Sequence, residues 1–371
     1  MLLCLNRMAT AGTNPIIGGA AQAPRHIPEL DGIRGIAVLM VLFFHAFSWK
    51  MELQHWTGVA HIVDRITSPG WLGVDLFFVL SGFLITSILL DQKGRPRYFL
   101  NFYMRRMLRI LPAYYGMLIL IALYYPHSAA FVGLSFLYCS NISSLFGVHT
   151  VYGPLWSLSV EEHFYMLWPL VVSRTSRRTL AIICMLVCAA SPIARSVGFH
   201  LDSDIFAFTW FRLDGLSYGA LLAAFTRSRY YSRSNLLKLS ASAIALFLFI
   251  VAGGGSRLLT RANVLGASLQ YTCFEVLSLS VLAFVLANGG SPITAVLRWK
   301  PLTYCGSVSY FVYLFHWFAL GLYEKFWAVR RENFGDIVLR AAFGIALTFF
   351  VAHLSYRYFE SPILRLKKHF Q

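Results

Sequence analysis

An arginine and a histidine in the first long apolar stretch have a spacing that suits a long substrate with an anionic head. Arg34 stands where the stretch enters the membrane, and His45 follows eleven positions later. In a helix this separation is about 16 Å and close to three whole turns, so both side chains face the same direction. The pantetheine arm of coenzyme A has a comparable length. The pair therefore predicts that phosphates lie at Arg34 and that a thioester reaches His45.

A second basic pair supports an anion-binding role. Arg106 and Arg109 are three positions apart at the start of another apolar stretch, so their side chains project side by side from one helix. Guanidinium forks suit phosphate oxygens. Contact with anionic lipid, or a role of the positive charges in setting the membrane topology, explains the same pair. For this pair taken alone, these explanations are favoured over phosphate binding.

Other ionisable residues lie inside apolar stretches, where a charge costs about 2.5–3.5 kcal/mol on insertion scales. Such residues are paired, face a cavity or take part in function. The group consists of His45, Asp75, Glu161, Glu162, Asp214, Glu275 and His316. A structural hydrogen bond between helices explains any one of them as well as function does, but seven together favour a functional site.

The elements that must position these residues are membrane helices. The chain has 371 residues, of which 57% are hydrophobic and 13% charged, and its mean hydropathy is +0.61. A soluble globular protein carries about 25% charged residues. The composition therefore excludes a soluble enzyme, a disordered chain and a disulfide scaffold. The six cysteines show no metal-ligand spacing. We predict an all-α, polytopic helix bundle that binds no metal.

Eleven stretches approach the length of about 20 apolar residues that a membrane helix needs. They are 33–49, 70–90, 108–125, 128–147, 155–173, 179–199, 205–226, 237–252, 269–288, 303–323 and 337–357. The basic clusters between them fall on one side only if 128–147, the most polar stretch, does not cross. We therefore predict ten spans with both termini cytoplasmic, and a re-entrant or outer-interface position for 128–147. The net charge of +16 then reflects topology rather than nucleic-acid binding.

Seven motifs, in order, make the sequence resemble the acyltransferase-3 family of membrane O-acyltransferases. They are Asp31-Gly32-Ile33-Arg34-Gly35 with His45, Gly73–Ile85, Arg106-x-x-Arg109 with Pro112, Leu155–Tyr165, Phe211–Gly215, Ser309–Trp317 and Phe359–Pro362. Each motif alone is weak, whereas the ordered set is specific. The resemblance covers nearly the whole chain, as a transmembrane domain over 28–365 between cytoplasmic tails 1–27 and 366–371.

The resemblance implies a ten-helix bundle in the bacterial inner membrane and a cytoplasmic acyl-CoA donor. It also implies that His45 is the catalytic residue and that Arg34, Arg106 and Arg109 gather near the donor. The chain resembles the stand-alone members, which lack the periplasmic esterase-like domain that many relatives carry.

The catalytic roles follow from what O-acylation requires. A hydroxyl is a poor nucleophile at neutral pH, so His45 is expected to act as a general base. A carboxylate on its second ring nitrogen would fix the tautomer, as in catalytic triads, and Asp75 and Glu161 are the candidates. A covalent acyl-enzyme, with the acyl group on His45 or Ser81, stays open as an alternative.

The predicted substrate-binding residues are Trp156, Tyr165, Arg212, Asp214 and His316. Trp156 and Tyr165 are expected to form a sugar platform. Arg212 and Asp214 are expected to form an intramembrane pair, and because they are only two positions apart they need partners on other helices. Structural pairing explains these two charges as well as substrate contact does. The spacing assigns no role to His316.

Together these features predict a membrane O-acyltransferase that moves an acyl group from acyl-CoA to a hydroxyl of a surface glycan. The first choices are acetyl-CoA as donor and an exopolysaccharide or lipopolysaccharide sugar as acceptor, with succinyl as the other acyl group. The rival function is a transporter or flippase of a lipid-linked glycan that uses the buried Asp, Glu and His residues as a proton relay. No matching halves, which transporters often have, are visible in the sequence, and the oligomeric state stays open.

Overall fold

A computed structural model describes residues 27–51, 56–327 and 333–366. Over these ranges the chain forms helices and contains no strand, which confirms the all-α prediction. The helices are α1 Pro28–Phe43, α2 Trp49–Met51, α3 Gly58–Thr67, α4 Leu72–Gln92, α5 Tyr98–Tyr124, α6 Ala129–Phe136, α7 Leu155–Arg174, α8 Arg177–His200, α9 Leu213–Phe225, α10 Arg233–Gly254, α11 Val264–Ala287, α12 Lys300–Phe326, α13 Phe334–Ser355 and α14 Ser361–Arg365. The predicted tails, 1–27 and 366–371, lie almost wholly outside the described residues.

Eight helical segments of the described chain are long and apolar enough to cross a membrane. They are Pro28–Met51, Gly58–Gln92, Tyr98–Tyr124, Arg177–His200, Arg233–Gly254, Val264–Ala287, Lys300–Phe326 and Phe334–Arg365. These segments coincide with eight of the ten predicted spans, so the protein is a multi-pass membrane protein.

The other two predicted spans, 155–173 and 205–226, are also helical but differ from the eight. α7 has 20 residues and is interrupted by polar side chains. α9 has only 13 residues, because the first part of 205–226 forms a loop and the 3-10 turn Thr209–Phe211. At 1.5 Å per residue, α9 is about 20 Å long, which is shorter than the hydrocarbon core.

The stretch 128–147 does not form one long helix. It divides into α6 and the 3-10 segment Ser140–Phe146. The hydroxyl of Tyr114 on α5 donates to the carbonyl oxygen of Ser135 at 2.8 Å and holds α6 against that helix. This break agrees with the exclusion of the stretch as a span.

Close helix contacts at glycines bring the functional side chains together. A Cβ on Gly306 of α12 would collide with the backbone oxygen of Asp31 on α1, and one on Gly219 of α9 would collide with that of Val79 on α4. Small residues allow such close approach in membrane proteins. The first contact joins the helices that lead to His45 and His316.

Candidate active site

The histidine pair, defined as His45 and His316, forms the first part of the site. Nε2 of His316 lies 2.9 Å from Nδ1 of His45, and the ring centroids are 5.0 Å apart. His316 is 1% exposed, whereas His45 is half-buried beside the rings of Trp49 and Trp317. The structure thus places His316, for which the spacing suggested no role, in direct contact with the predicted base.

The prediction of a carboxylate on the second ring nitrogen of His45 is wrong at Nδ1, because His316 occupies that position. Asp75 is fully buried and pairs with Arg212. Glu161 lies among the arginines described below. Since α1 packs along α12, the neighbouring helix supplies an imidazole where a carboxylate was expected.

A π-helical turn, Phe44–Ser48, carries His45. Such turns are rare and occur frequently at functional sites. Nη1 of Arg340 on α13 donates to the carbonyl oxygens of His45 at 3.2 Å and Ala46 at 3.0 Å. Arg340 is 3% exposed, and its Nε pairs with Glu324. The guanidinium therefore satisfies backbone oxygens in the turn that holds the predicted base.

Tyr152, which lies in the loop before α7, supports α12 on both sides of His316. Its hydroxyl donates to the carbonyl oxygen of Leu314 at 2.8 Å and accepts from the backbone N–H of Phe318 at 3.0 Å. Burial raises the pKa of Tyr152 well above its ordinary value, so the hydroxyl keeps its proton. This contact fixes the backbone of α12 at the histidine pair. Sequence reasoning missed it, because it joins residues that are far apart in the chain.

The arginine cluster, defined as Arg34, Arg106 and Arg109, forms the second part of the site. The three charges lie close enough to act on one another. Arg34 pairs with Asp31 at 3.1 Å, and the Arg106 guanidinium lies 4.2 Å from the ring centroid of Tyr165. In the described part of the chain, neither Arg106 nor Arg109 has a hydrogen-bond partner. All three side chains are partly accessible, so they have donors to offer to anionic oxygens.

Trp156 and Tyr165 do not share a sugar platform, so that prediction is wrong. They are nine positions, or two and a half turns, apart on α7, which places them on opposite faces. Tyr165 hydrogen-bonds to Ser81 beneath the arginine cluster. Trp156 packs against Phe206 and Phe78, with ring centroids 4.4 Å and 5.9 Å away.

The face of α7 that carries Tyr165 also carries Ser157 and Glu161, and it leads from the histidine pair to the arginine cluster. The hydroxyls of Ser157 and Tyr313 are 2.6 Å apart, and the Tyr313 ring lies 5.8 Å from the ring of His316. Glu161, one turn further along α7 on the same face, lies beside the arginine cluster. Side chains on one face of α7 therefore extend from the histidine pair to the arginine cluster.

The buried ion network, defined as Asp75, Arg195, Arg212 and Asp214, consists of side chains that are at most 1% exposed. Arg212 pairs with Asp75 on α4, and Arg195 on α8 donates to both carboxylate oxygens of Asp214 at 3.1 and 2.8 Å. Arg212 and Asp214 therefore have partners on other helices, as predicted, but the prediction that they pair with each other is wrong. These two buried ion pairs therefore join α4, α8 and α9.

Fold and site together define a multi-pass helical membrane protein with an imidazole pair and a basic cluster on adjacent helices. Within the described ranges, no group of three His, Cys, Asp or Glu side chains is placed to hold a metal ion. Residues 27–357 match the family model Acyl_transf_3, which is described as an acyltransferase domain. The chain therefore belongs to this acyltransferase family, as the motifs suggested.

Curated relatives match most of the chain. A peptidoglycan O-acetyltransferase, OatA, of Listeria monocytogenes is 28% identical over 91% of this chain and 56% of its own length. A putative peptidoglycan O-acetyltransferase, YrhL, of Bacillus subtilis is 30% identical over 92% and 55%. The O-acetyltransferase OatA of Staphylococcus aureus is 27% identical over 92% and 58%. The chain thus spans a little over half the length of these relatives. No solved structure matches it.

Proposed function

We propose that the protein is an O-acetyltransferase of the bacterial inner membrane, with cytoplasmic acetyl-CoA as donor and a hydroxyl of a cell-envelope glycan as acceptor. The observation that carries the proposal is the histidine pair, joined through α7 to the arginine cluster. A base at one end and phosphate-binding groups at the other suit a long thioester with an anionic head. The names of the relatives support acetyl as the acyl group and add peptidoglycan to the acceptors.

The reaction needs one base that later acts as an acid. His45 takes the proton of the acceptor hydroxyl as its oxygen attacks the thioester carbonyl carbon. The carbon–sulfur bond then breaks, and the thiolate takes the same proton from the imidazolium of His45. The products are an O-acetyl ester and the free thiol of coenzyme A, so the histidine returns to its starting state.

The arginine cluster binds the donor in this scheme. Guanidinium donors of Arg34, Arg106 and Arg109 contact the phosphates, and the pantetheine arm extends past Glu161 towards the histidine pair. The position of Glu161 beside the arginine cluster gives it a role in lining this path, since His316 rather than Glu161 contacts Nδ1 of His45.

Membranes that contain the protein are incubated with acetyl-CoA labelled in the acetyl group, and label is then measured in extracted peptidoglycan, lipopolysaccharide and exopolysaccharide. We expect covalent label in one of these fractions, and a loss of about 10²- to 10⁴-fold with His45→Ala. A folded His45→Ala protein that transfers at the wild-type rate would contradict the proposal. Movement of a glycan across the membrane without covalent label would support the transporter instead.

A further inference from the structure

We infer that His316 is a positioning residue that selects the ring tautomer of His45 and leaves Nε2 of His45 free to act as the base. The inference rests on the proposed function, because it assigns the proton positions within the same site. Nε2 is then the ring nitrogen of His45 that faces the acceptor hydroxyl.

The backbone of α12 determines where the proton of His316 lies. Nδ1 of His316 is 2.7 Å from the carbonyl oxygen of Tyr313 and 3.2 Å from that of Val312. A carbonyl oxygen only accepts, so Nδ1 carries the hydrogen. In a neutral imidazole the other nitrogen then has a free lone pair, and Nε2 of His316 is an acceptor.

The tautomer of His45 follows from that acceptor. Nδ1 of His45 lies 2.9 Å from Nε2 of His316, so it must donate and carries the hydrogen. Nε2 of His45 is consequently unprotonated in the neutral ring. Histidine otherwise exists as two tautomers, and the hydrogen bond made by one ring nitrogen sets the state of the other.

A doubly protonated His316 would reverse this assignment, but its surroundings oppose a positive charge. The ring is 1% exposed, and its two ring nitrogens contact another imidazole and backbone carbonyl oxygens. The nearby charged side chain is Arg340, which donates to the backbone of His45 and is itself a cation. A buried cation without a carboxylate partner is costly, so the neutral ring is the stable form.

The acceptor on His316 is held rigidly. Tyr152 contacts the backbone of α12 at Leu314 and Phe318, on either side of the histidine. The hydroxyl of Tyr313 is bound to Ser157 of α7. A site residue whose supports are locked in this way holds its partner in the productive orientation.

During transfer, the proton balance involves His45 alone. Nε2 of His45 takes the hydroxyl proton, and the resulting imidazolium keeps its Nδ1–H bond to the lone pair of His316, which becomes a charge-assisted bond. The proton then leaves from Nε2 to the thiolate. His316 neither gains nor loses a proton, and it serves as a neutral counterpart of the triad carboxylate.

Nitrogen NMR of the histidine rings tests the tautomer without any acceptor. Protein labelled with ¹⁵N-histidine is measured in lipid nanodiscs, and the His45 signals are assigned by their loss in His45→Asn. We expect a protonated Nδ1 and an unprotonated Nε2 in the wild type, and a shift of His45 towards the Nε2–H form in His316→Leu. Wild-type spectra with Nε2 protonated, or an unchanged tautomer in His316→Leu, would overturn the inference.

Kinetics of two substitutions separate positioning from packing. His316→Leu fills the space but accepts no hydrogen bond, and we expect kcat to fall by about 10²- to 10⁴-fold with KM for acetyl-CoA close to wild type. His316→Gln offers a carbonyl oxygen to Nδ1 of His45 and should recover at least about tenfold over the leucine variant. His353→Leu removes a helix histidine whose Nδ1 contacts Tyr304 at 2.9 Å, and serves as the matched control.

Equal rates for the leucine and glutamine variants, or a change confined to KM, would also overturn the inference. Failure of the proposed function is recognised separately, because His45→Ala would then transfer acetyl groups at the wild-type rate. The NMR result stands in either case, since it reads proton positions and not turnover.

Discussion

Two guanidinium groups of the arginine cluster, those of Arg106 and Arg109, carry donors that no described residue accepts. In a structural ion pair these donors would be satisfied by carboxylates, as both terminal nitrogens of Arg195 are by Asp214. Partial accessibility together with free donors is what a phosphate-binding group needs before its ligand arrives. The difference between these two arginines and Arg195 therefore lies in what their side chains contact rather than in their residue type.

Removal of one guanidinium from the cluster should weaken donor binding more than turnover. We expect Arg109→Gln to raise KM for acetyl-CoA by about 10- to 100-fold, which corresponds to the loss of a hydrogen bond between charged groups. Initial rates at varied donor concentration measure this. Arg229→Gln, which removes an exposed arginine stacked on Tyr230, is the control.

A donor without phosphates makes this test specific. Acetyl-pantetheine offers the thioester but nothing for a guanidinium to bind, so the wild type and Arg109→Gln should use it with the same kinetics. An equal loss with both donors would show that Arg109 supports the fold instead of the phosphates.

At the scale of helices, the turn that carries His45 departs from regular α-geometry and depends on a side chain from another helix. Arg340 of α13 reaches two carbonyl oxygens of this turn, and it is held by Glu324, which also pairs with Lys50 at 2.8 Å. The position of His45, the predicted base, is thus set jointly by α1, α12 and α13. None of these helices would hold it alone.

Loss of the Arg340 side chain should disturb both stability and catalysis. Arg340→Met leaves two backbone oxygens of the turn without their donor, and we expect about 1–3 kcal/mol of destabilisation with a clear fall in kcat. Arg340→Lys keeps one charged donor and should be intermediate. Thermal unfolding in detergent and the acetyl-transfer assay measure the two effects.

The second π-helical turn provides the control for this prediction. Arg357→Met changes an exposed arginine in Tyr356–Glu360, where the guanidinium lies over the ring of Tyr358. It should leave both unfolding and transfer near wild type. An Arg340→Met protein with the wild-type unfolding temperature and rate would show that the turn does not depend on this contact.

Across the whole molecule, the sequence predicted the parts of the structure that depend on local pattern. The length of the apolar stretches predicted the helices. The three-residue spacing of Arg106 and Arg109 predicted that their side chains project from the same side of one helix. The cost of burying charge predicted that Arg212 and Asp214 have partners elsewhere, but not that these are Asp75 and Arg195. Periodicity shows which face of a helix carries the polar side chains, yet it does not show which face of another helix packs against it.

The same limit explains the errors. The contact of His316 with His45 depends on how α1 packs against α12, and no spacing within either helix encodes that contact. Arg340 lies inside a predicted span, so the rule that applied to the acidic residues would have found it, although not its contact with a π-helical turn. Trp156 and Tyr165 do not form the predicted platform, because a separation of nine residues places them on opposite faces of α7.

The orientation of the bundle decides whether the arginine cluster can meet a cytoplasmic donor. The loop between α4 and α5 should face the cytoplasm, and the loop between α6 and α7 the outside, because the basic residues concentrate in the first. Arg95→Cys and His149→Cys place an exposed thiol in each of these two loops.

A membrane-impermeant maleimide should label the His149→Cys protein in intact spheroplasts and the Arg95→Cys protein only after permeabilisation. The unsubstituted chain measures labelling of its own cysteines. The opposite pattern would place the arginine cluster away from acetyl-CoA and contradict the proposed direction of transfer.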